Sequence, residues 1–185
     1  MKSSAFQLEM EAKTRKLHAL DEQIKHMQKN IVDIKASVDE QEQYSRRNCL
    51  RFHGVPETAG ENTDKVIIEL VKEKMGVELH PSDIDRSHRI TPRNPKEGDH
   101  AQPKSIIVKF SRYNARDSVY RARTKLRRTN IYIHEDLTAK RSRLLYKSRN
   151  HTNVEKTWTS DGRIIALTKD NRKVSILRES DIEKL

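Results

Sequence analysis

A run of cations at Arg121, Arg123, Lys125, Arg127 and Arg128 is the densest group of chemically useful side chains in the sequence. Residues four apart lie one turn apart on a helix, so positions 121 and 125 share a face, as do 123 and 127. Guanidinium and ammonium groups in this arrangement hold the phosphates of a nucleic-acid strand. A nuclear-import signal is the main alternative for the same residues.

The charge of the chain is concentrated around this run. The 185 residues include 38 Lys and Arg against 27 Asp and Glu, which gives a formal net charge of +11. Residues 101–150 carry 14 basic and 3 acidic side chains, whereas the segments on either side are nearly neutral. A field this local favours a polyanionic partner, most commonly nucleic acid, although a solvated helix face is the other interpretation. We expect the segment 112–149 to supply most contacts.

The sequence lacks the constellations that are typical of enzymes and metal sites. Its eight His show neither an HExxH motif nor a Cys/His zinc spacing, and no GxSxG, phosphate-loop or GxGxxG motif occurs. We therefore expect no catalytic residue, cofactor, metal or small-molecule substrate.

Membrane insertion and disulfide formation are not expected either. No stretch approaches 18 consecutive apolar residues, and the N-terminus lacks the apolar core of a signal peptide. Cys49 is the only cysteine, which fits a reducing intracellular compartment.

Residues 1–45 predict an oligomerising coiled coil. Apolar side chains recur alternately four and three residues apart over residues 6–41, with Lys13 and Gln41 as polar exceptions and without Pro or Gly. A single amphipathic helix docked on a domain is the alternative. Ile occupies both the a and the d positions of the heptad, which favours a parallel trimer, with a dimer as the next alternative. The seam residues are Leu17, Leu20, Ile24, Met27, Ile31, Ile34 and Val38.

Residues 46–137 predict a ferredoxin-like domain, the fold of RNA-recognition motifs. Four strand patterns and two amphipathic helices follow the order β-α-β-β-α-β. Asn62 or Thr63 is the expected cap of the first helix, and Gly76 its end. Strands are expected at 48–55, 84–90, 105–110 and 130–134, and helices at 62–75 and 114–126. The loop before the third strand contains Pro92, Pro95, Gly98 and Pro103.

The strand residues fit the core of an RNA-recognition motif but not its base-stacking positions. The positions that carry stacking aromatics in the motif hold Arg51, Ser105 and Ile107. Binding should therefore depend on phosphate charge and arginine stacking, with weak sequence preference. The expected inward residues are Leu50, Phe52, Val55, Val108 and Phe110.

Three arginines outside the basic run are further candidate contacts. Arg51 falls on the sheet face, and Arg46 and Arg47 lie between coil and domain, where three copies would converge near a trimer axis. Side chains alternate between the two faces of a strand, so only one of two residue pairs on the second strand can face the ligand. The sequence does not decide which pair this is. The two pairs are Arg86 with His88 and Ser87 with Arg89.

Residues 138–185 predict a small α+β domain that packs on the preceding one. A helix should start at Thr138, and Asp161-Gly162 is a hairpin turn signal. A short strand is expected at Val174–Leu177, and Ser180 with Glu183 fits a capping box.

Several short stretches occur in a characteristic order. EQYSRRN and LRFHGVPE lie within residues 42–57, SHRI occupies 87–90, and ARTKL at 122–126 precedes DLT at 136–138. In order and spacing they resemble the first-open-reading-frame protein of LINE-type non-LTR retrotransposons, and the likeness covers roughly residues 40–177.

The resemblance implies a non-enzymatic, homotrimeric protein. Such a protein coats single-stranded RNA of its own element as a ribonucleoprotein particle and acts as a nucleic-acid chaperone, also on single-stranded DNA. Its implied location is cytoplasmic particles, with nuclear entry left open. The basic positions that match the family are Arg89, Arg121, Arg123, Lys125, Arg127, Arg128, Arg141 and Arg143.

Two other functions fit parts of the sequence. A coiled-coil scaffold, in which the globular part binds protein, needs no RNA contact. A duplex DNA binder would use the same basic segment.

Overall fold

The computed structural model describes residues 2–91 and 103–185, with side chains of residues 2–5 and 7 excepted. The chain is an α+β protein in which a long N-terminal helix precedes antiparallel sheets. It divides into two compact units, Met1–Gln41 and Glu42–Leu185. Among the described residues, no helix combines the length and apolar character that crossing a bilayer requires.

Helix α1 runs over Lys2–Ser45 without interruption. Its seven predicted seam residues are all exposed, with exposed fractions between 45% and 66%. In the single chain, the predicted apolar stripe of the helix is therefore exposed to solvent.

The first sheet has four strands in the order β2-β3-β1-β4, and every neighbouring pair is antiparallel. Its two central strands, β1 and β3, are thus covered by a partner on each side, and β2 and β4 form the edges. The strands are β1 (Cys49–His53), β2 (Ile84–Arg89), β3 (Ile106–Phe110) and β4 (Tyr132–Glu135).

Two helices cover one face of this sheet. Helix α2 (Thr63–Leu70) is capped by the Asn62 side chain, which accepts a hydrogen bond of 3.1 Å from the Lys65 amide. A π-helical turn, Val71–Met75, continues it as far as Gly76, whose φ of +64° ends the helix as predicted. Helix α3 (Tyr113–Ala122) passes into a 3-10 turn over 123–126.

The core between sheet and helices is aliphatic with two phenylalanines. The five residues predicted to point inward are at most 2% exposed, which confirms that part of the sequence interpretation. From the helices, Ile67, Val71 and Val119 complete the same cluster. The predicted loop residues Pro92, Pro95 and Gly98 lie outside the described residues.

A second, three-stranded sheet has the order β5-β6-β7. Asp161 and Gly162, with φ of +50° and +74°, form the tight turn between β5 and β6, as the sequence predicts. Two helices pack on this sheet, and Leu144, Ile164 and Ile176 lie at the centre of their core. The elements are α4 (Ala139–Arg149), β5 (Val154–Ser160), β6 (Arg163–Thr168), β7 (Lys173–Ile176) and α5 (Glu179–Ile182).

The helix caps of this region differ in one case from the sequence prediction. Thr138 caps α4, as expected, by accepting a hydrogen bond from the Arg141 amide at 3.2 Å. The capping box predicted at Ser180 and Glu183 is wrong, because the helix starts two residues earlier, with Arg178 at the cap position. The Asp181 carboxylate accepts bonds from the amides of Leu177 and Arg178, each at 2.9 Å.

Candidate nucleic-acid interface

The face of the first sheet opposite its helices is open. Strand alternation and the register of β1 with its two neighbours place polar and aromatic side chains on it in rows across the sheet. Ile107, Arg51 and His134 form one such row, and His53 pairs with Tyr132 in the next. The other strand residues on this face are Cys49, Arg86, His88 and Lys109.

The alternation of β2 is set by an irregularity between Ile84 and Arg86, where the register with β3 shifts. The Ser87 hydroxyl consequently turns to helix α2, where it lies 2.6 Å from Thr63 Oγ1 and 2.5 Å from Asp64 Oδ1. Of the two pairs that the sequence left open, Arg86 and His88 therefore lie on the open face.

Arg89 turns to the helix side and is enclosed there. Its guanidinium donates to both carboxylate oxygens of Glu61, at 2.6 and 3.0 Å, and to the backbone oxygens of Val55, Pro56 and Lys104. The side chains of Arg89 and Glu61 are 10% and 9% exposed, and the pKa of the Glu61 carboxyl is lowered by its bond to Arg89. Arg89 thus joins β2 to two loops, and its expected role as an RNA contact, which stays a prediction, would have to compete with these bonds.

Arg46 and Arg51 converge on one buried carboxylate. Asp136, whose side chain is 3% exposed, accepts from Arg46 Nη1 at 2.9 Å and from Arg51 Nε at 2.5 Å. Arg46 also donates to Glu42 at 2.7 Å. The carboxylate fixes both guanidinium groups at the mouth of the same cleft while leaving each about a third exposed.

That cleft, of about 500 Å³, lies between the open face at β4 and the elements α4 and β5. Arg149 on α4 lines it together with Arg46 and Arg51, and the Arg149 Nε lies 3.4 Å from Thr157 Oγ1. Two imidazoles, those of His53 and His134, form part of the wall. The cleft therefore combines three guanidinium groups with aromatic rings, a combination that fits phosphates and bases.

Three rings cluster on the open face beside this cleft. His53 and Tyr132 are stacked, with centroids 4.7 Å apart and planes 7° apart, and His134 meets both edge-on. Burial, together with the charges of His134 and Arg51, lowers the pKa of His53 to about 4. Desolvation of its ring and the charges of Arg149 and Arg123 likewise lower the pKa of His134. Both imidazoles are therefore neutral at pH 7.

Three residues of the basic run have exposed side chains that point away from the domain core, and the other two bond to the rest of the domain. Arg121 is 80% exposed and pairs with Asp117 at 2.7 Å, and Arg127 and Arg128 are also exposed. Arg128 has a φ of +72°, which turns the chain between the 3-10 turn and β4. These three side chains remain candidate phosphate contacts.

Arg123 and Lys125 make contacts within the domain instead. Arg123 stacks on the Tyr120 ring, 3.8 Å from its centroid, and donates to the Tyr120 carbonyl at 2.6 Å. Lys125 donates to the carbonyl of Met75 at 2.7 Å, which ties the 3-10 turn to the end of α2. To contact RNA as expected, both side chains would have to give up these contacts within the domain.

The remaining predicted contacts lie in different environments. Arg47 is exposed and its guanidinium lies 3.9 Å from the centroid of Tyr44. Arg143 is exposed on α4, with Nε 3.4 Å from the carbonyl of residue 139. Arg141 is only 7% exposed and donates to the Gly162 carbonyl at 3.0 Å, and its expected phosphate contact stays a prediction.

Four residues of the candidate interface are not among those that the sequence singles out for binding, namely His53, Tyr132, His134 and Arg149. The sequence indicates part of this group, because Tyr132 and His134 are two residues apart on a predicted strand and therefore lie on the same face. Within the described ranges, no group of three or more His, Cys, Asp or Glu is placed to hold a metal ion. No family model matches the chain.

Proposed function

We propose that the protein is a non-enzymatic, sequence-tolerant binder and chaperone of single-stranded RNA in a retrotransposon ribonucleoprotein particle. The observation that carries the proposal is the cleft in which Arg46, Arg51 and Arg149 surround a space bordered by aromatic rings. Guanidinium groups neutralise phosphates of any sequence, and ring faces accept any base. The resemblance to the first-open-reading-frame proteins of LINE-type elements supplies the element context, and with it single-stranded DNA and cytoplasmic particles.

The strand order β2-β3-β1-β4, with α2 and α3 on one face, supports the interpretation of residues 46–137 as a ferredoxin-like, RNA-recognition-motif domain. Residues 138–185 are then a small C-terminal α+β domain. The interface lies at the junction of the two, since the cleft takes its walls from β1, β4, α4 and β5.

The exposed stripe on α1 supports self-association through a coiled coil. Seven apolar residues that are 45% or more exposed along one heptad seam need a partner, and a second copy offers the complementary seam. The proposed assembly is a parallel trimer, with a dimer as the other outcome. Joining several RNA sites in one particle raises the overall affinity through effective concentration.

The test measures the binding of the full-length chain to a labelled, unstructured RNA by fluorescence anisotropy at several salt concentrations. We expect the logarithm of the affinity to fall linearly with the logarithm of the salt concentration, with a slope of about −0.7 per phosphate neutralised. An unlabelled duplex DNA of matched length should compete weakly. Affinity independent of salt would contradict the mechanism, and stronger competition by the duplex would favour a DNA binder.

A charge-matched pair of variants locates the contacts. The double variant Arg121→Ala and Arg127→Ala removes two exposed cations of the basic segment. The control, Lys169→Ala with Lys173→Ala, removes the same charge outside residues 101–150. We expect the first variant to weaken binding several-fold more than the control.

The second candidate function is a coiled-coil scaffold whose globular unit binds protein, and the exposed seam of α1 fits it equally well. It predicts that the double variant at 121 and 127 retains as much RNA as the wild type. Sequencing of RNA crosslinked to the protein separates a retrotransposon role from a domesticated one. Enrichment of a transcript that also encodes a reverse transcriptase supports the former.

A further inference from the structure

The stack of His53 and Tyr132 is unusual in its exposure. The ring planes are nearly parallel and the centroids lie 4.7 Å apart, which is the geometry of a packed aromatic pair, yet Tyr132 is 54% exposed. Strand β4 is an edge of the sheet, so among the described elements no further strand covers the outer side of Tyr132. One face of the Tyr132 ring is thus packed on His53, while much of the Tyr132 side chain faces solvent.

The pair is held in place from several sides. His53 Nδ1 lies 2.6 Å from the hydroxyl of Ser105, the residue before β3, which fixes the orientation of the imidazole. His134 meets both rings edge-on, at centroid distances of 5.3 and 5.4 Å. A rigid exposed ring loses little conformational entropy when a ligand stacks on it, because its orientation is already set.

The environment of the stack selects the kind of ligand. His134 touches both rings and also lines the cleft that holds Arg51 and Arg149, so the ring face and the guanidinium groups adjoin. An aromatic surface next to cations matches a nucleotide, whose flat base and charged phosphate are joined by a short sugar linkage. With His53 neutral at pH 7, the stacked rings themselves add no charge that would attract phosphate to the platform.

We propose that the stacked rings of His53 and Tyr132 form a nucleobase-stacking subsite, in which a base of single-stranded RNA packs on Tyr132 while its phosphate lies in the arginine cleft. The inference rests on the proposed RNA binding and adds a base contact at β1 and β4. These positions differ from the Arg51, Ser105 and Ile107 positions at which the recognition-motif pattern places its aromatics.

The experiment compares two oligonucleotides with identical phosphates, one intact RNA and one that is abasic at every position. The variants are Tyr132→Ala, Tyr132→Phe, which keeps the ring, and Tyr146→Ala, which removes a tyrosine that is 71% exposed on α4. We expect Tyr132→Ala to weaken binding of the intact RNA about tenfold, and the other two to bind it like the wild type. On the abasic strand, wild type and Tyr132→Ala should bind alike.

A crosslink on the unaltered chain provides a second readout. RNA carrying 4-thiouridine should attach, on near-ultraviolet irradiation, to the peptide that contains Tyr132. If that peptide is not labelled, or if Tyr132→Ala binds intact RNA normally while salt-sensitive binding persists, the stacking subsite is refuted and RNA binding stands. If the wild type binds neither strand, both proposals fail.

Discussion

Arg116 on α3 forms an ion pair with Glu135 on β4, and the side chains of both residues are only 2% exposed. The second carboxylate oxygen of Glu135 accepts a bond of 3.1 Å from the Gly162 amide in the β5–β6 turn. One carboxylate therefore links the helix layer, the edge strand and the second sheet. Tyr113 adds a bond of 2.7 Å to Asp161 in the same turn. The junction that forms the cleft is thus held by two buried contacts of Glu135 and one exposed hydrogen bond of Tyr113.

Replacing Arg116 by alanine should destabilise the globular unit strongly. The substitution leaves the Glu135 carboxylate buried without its cation, and breaking a buried pair in this way costs about 3–5 kcal/mol. Urea denaturation followed by Trp158 fluorescence gives the free energy of unfolding. Arg121→Ala, on the same helix, removes an 80% exposed cation and serves as the control with little expected change. Equal stability of the two variants would contradict this role for the buried pair.

Two glycines with the same backbone conformation should respond differently to alanine. Gly54 and Gly60 have φ of +75° and +72°, so alanine meets similar backbone strain at both. A Cβ at Gly54 would lie 1.9 Å from the Asn130 carbonyl oxygen, whereas a Cβ at Gly60 meets nothing within 4 Å. We expect Gly54→Ala to cost about 1–3 kcal/mol more than Gly60→Ala in chemical denaturation. Similar losses of unfolding free energy in the two variants would mean that the loop after β1 moves to accommodate the added Cβ at little cost.

The elements of the fold follow from local signals in the sequence. Asn62 and Gly76 delimit a helix through a side-chain cap and a left-handed residue, and Asp161-Gly162 closes a hairpin through two positive φ angles. Each signal acts within a few residues, so it can be found without knowledge of the fold. The capping box predicted at Ser180 and Glu183 is wrong because the helix is capped two residues earlier, where the Asp181 carboxylate accepts from the amides of Leu177 and Arg178.

The candidate site depends instead on contacts between distant residues. Arg89 and Arg141 look like surface cations in the sequence, yet Glu61 and the Gly162 carbonyl, 28 and 21 residues away, hold them inside. The pairing of His53 with Tyr132 requires the register of β1 against β4. Charge patterning identified the basic segment, but only packing separates the arginines that face the cleft from those that support the fold.

Acidification should weaken the fold through His53. Its pKa is about 4 in the native state, because of burial and the nearby charges of His134 and Arg51, against about 6.5 in an unfolded chain. The unfolded state therefore binds more protons between these values, and stability falls as the pH drops from about 6.5 towards 4. The loss between pH 7 and 5 is at most about 2 kcal/mol from this residue.

The variant His53→Phe keeps a ring for Tyr132 but has no proton to gain. We expect its urea midpoint to fall less than that of the wild type between pH 7 and 5. A fall of the same size in both proteins would assign the acid sensitivity to other groups.

The seam of α1 should decide the oligomeric state. Ile31 is on the predicted seam, and Val32, its neighbour, is off it, although they are 49% and 60% exposed. Ile31→Asp should shift the protein to monomer, because it replaces a contact of about 1.5–3 kcal/mol per chain by a buried charge. Val32→Asp should leave the assembly intact. Light scattering measures the mass of each, and a monomeric wild type would refute the coiled coil.

The arginine cleft should be visible in the salt dependence of RNA binding. Arg149 is exposed at the cleft and contacts Thr157 only at 3.4 Å, so Arg149→Gln removes a cation with little cost to the fold. If Arg149 neutralises one phosphate, the slope of log affinity against log salt should become less steep by about 0.7. Arg172→Gln, which removes a cation paired with Asp170 near the β6–β7 turn, should leave the slope unchanged. Equal slopes for both variants would place the strand outside the cleft, because a phosphate bound there must release a counterion whose loss the slope records.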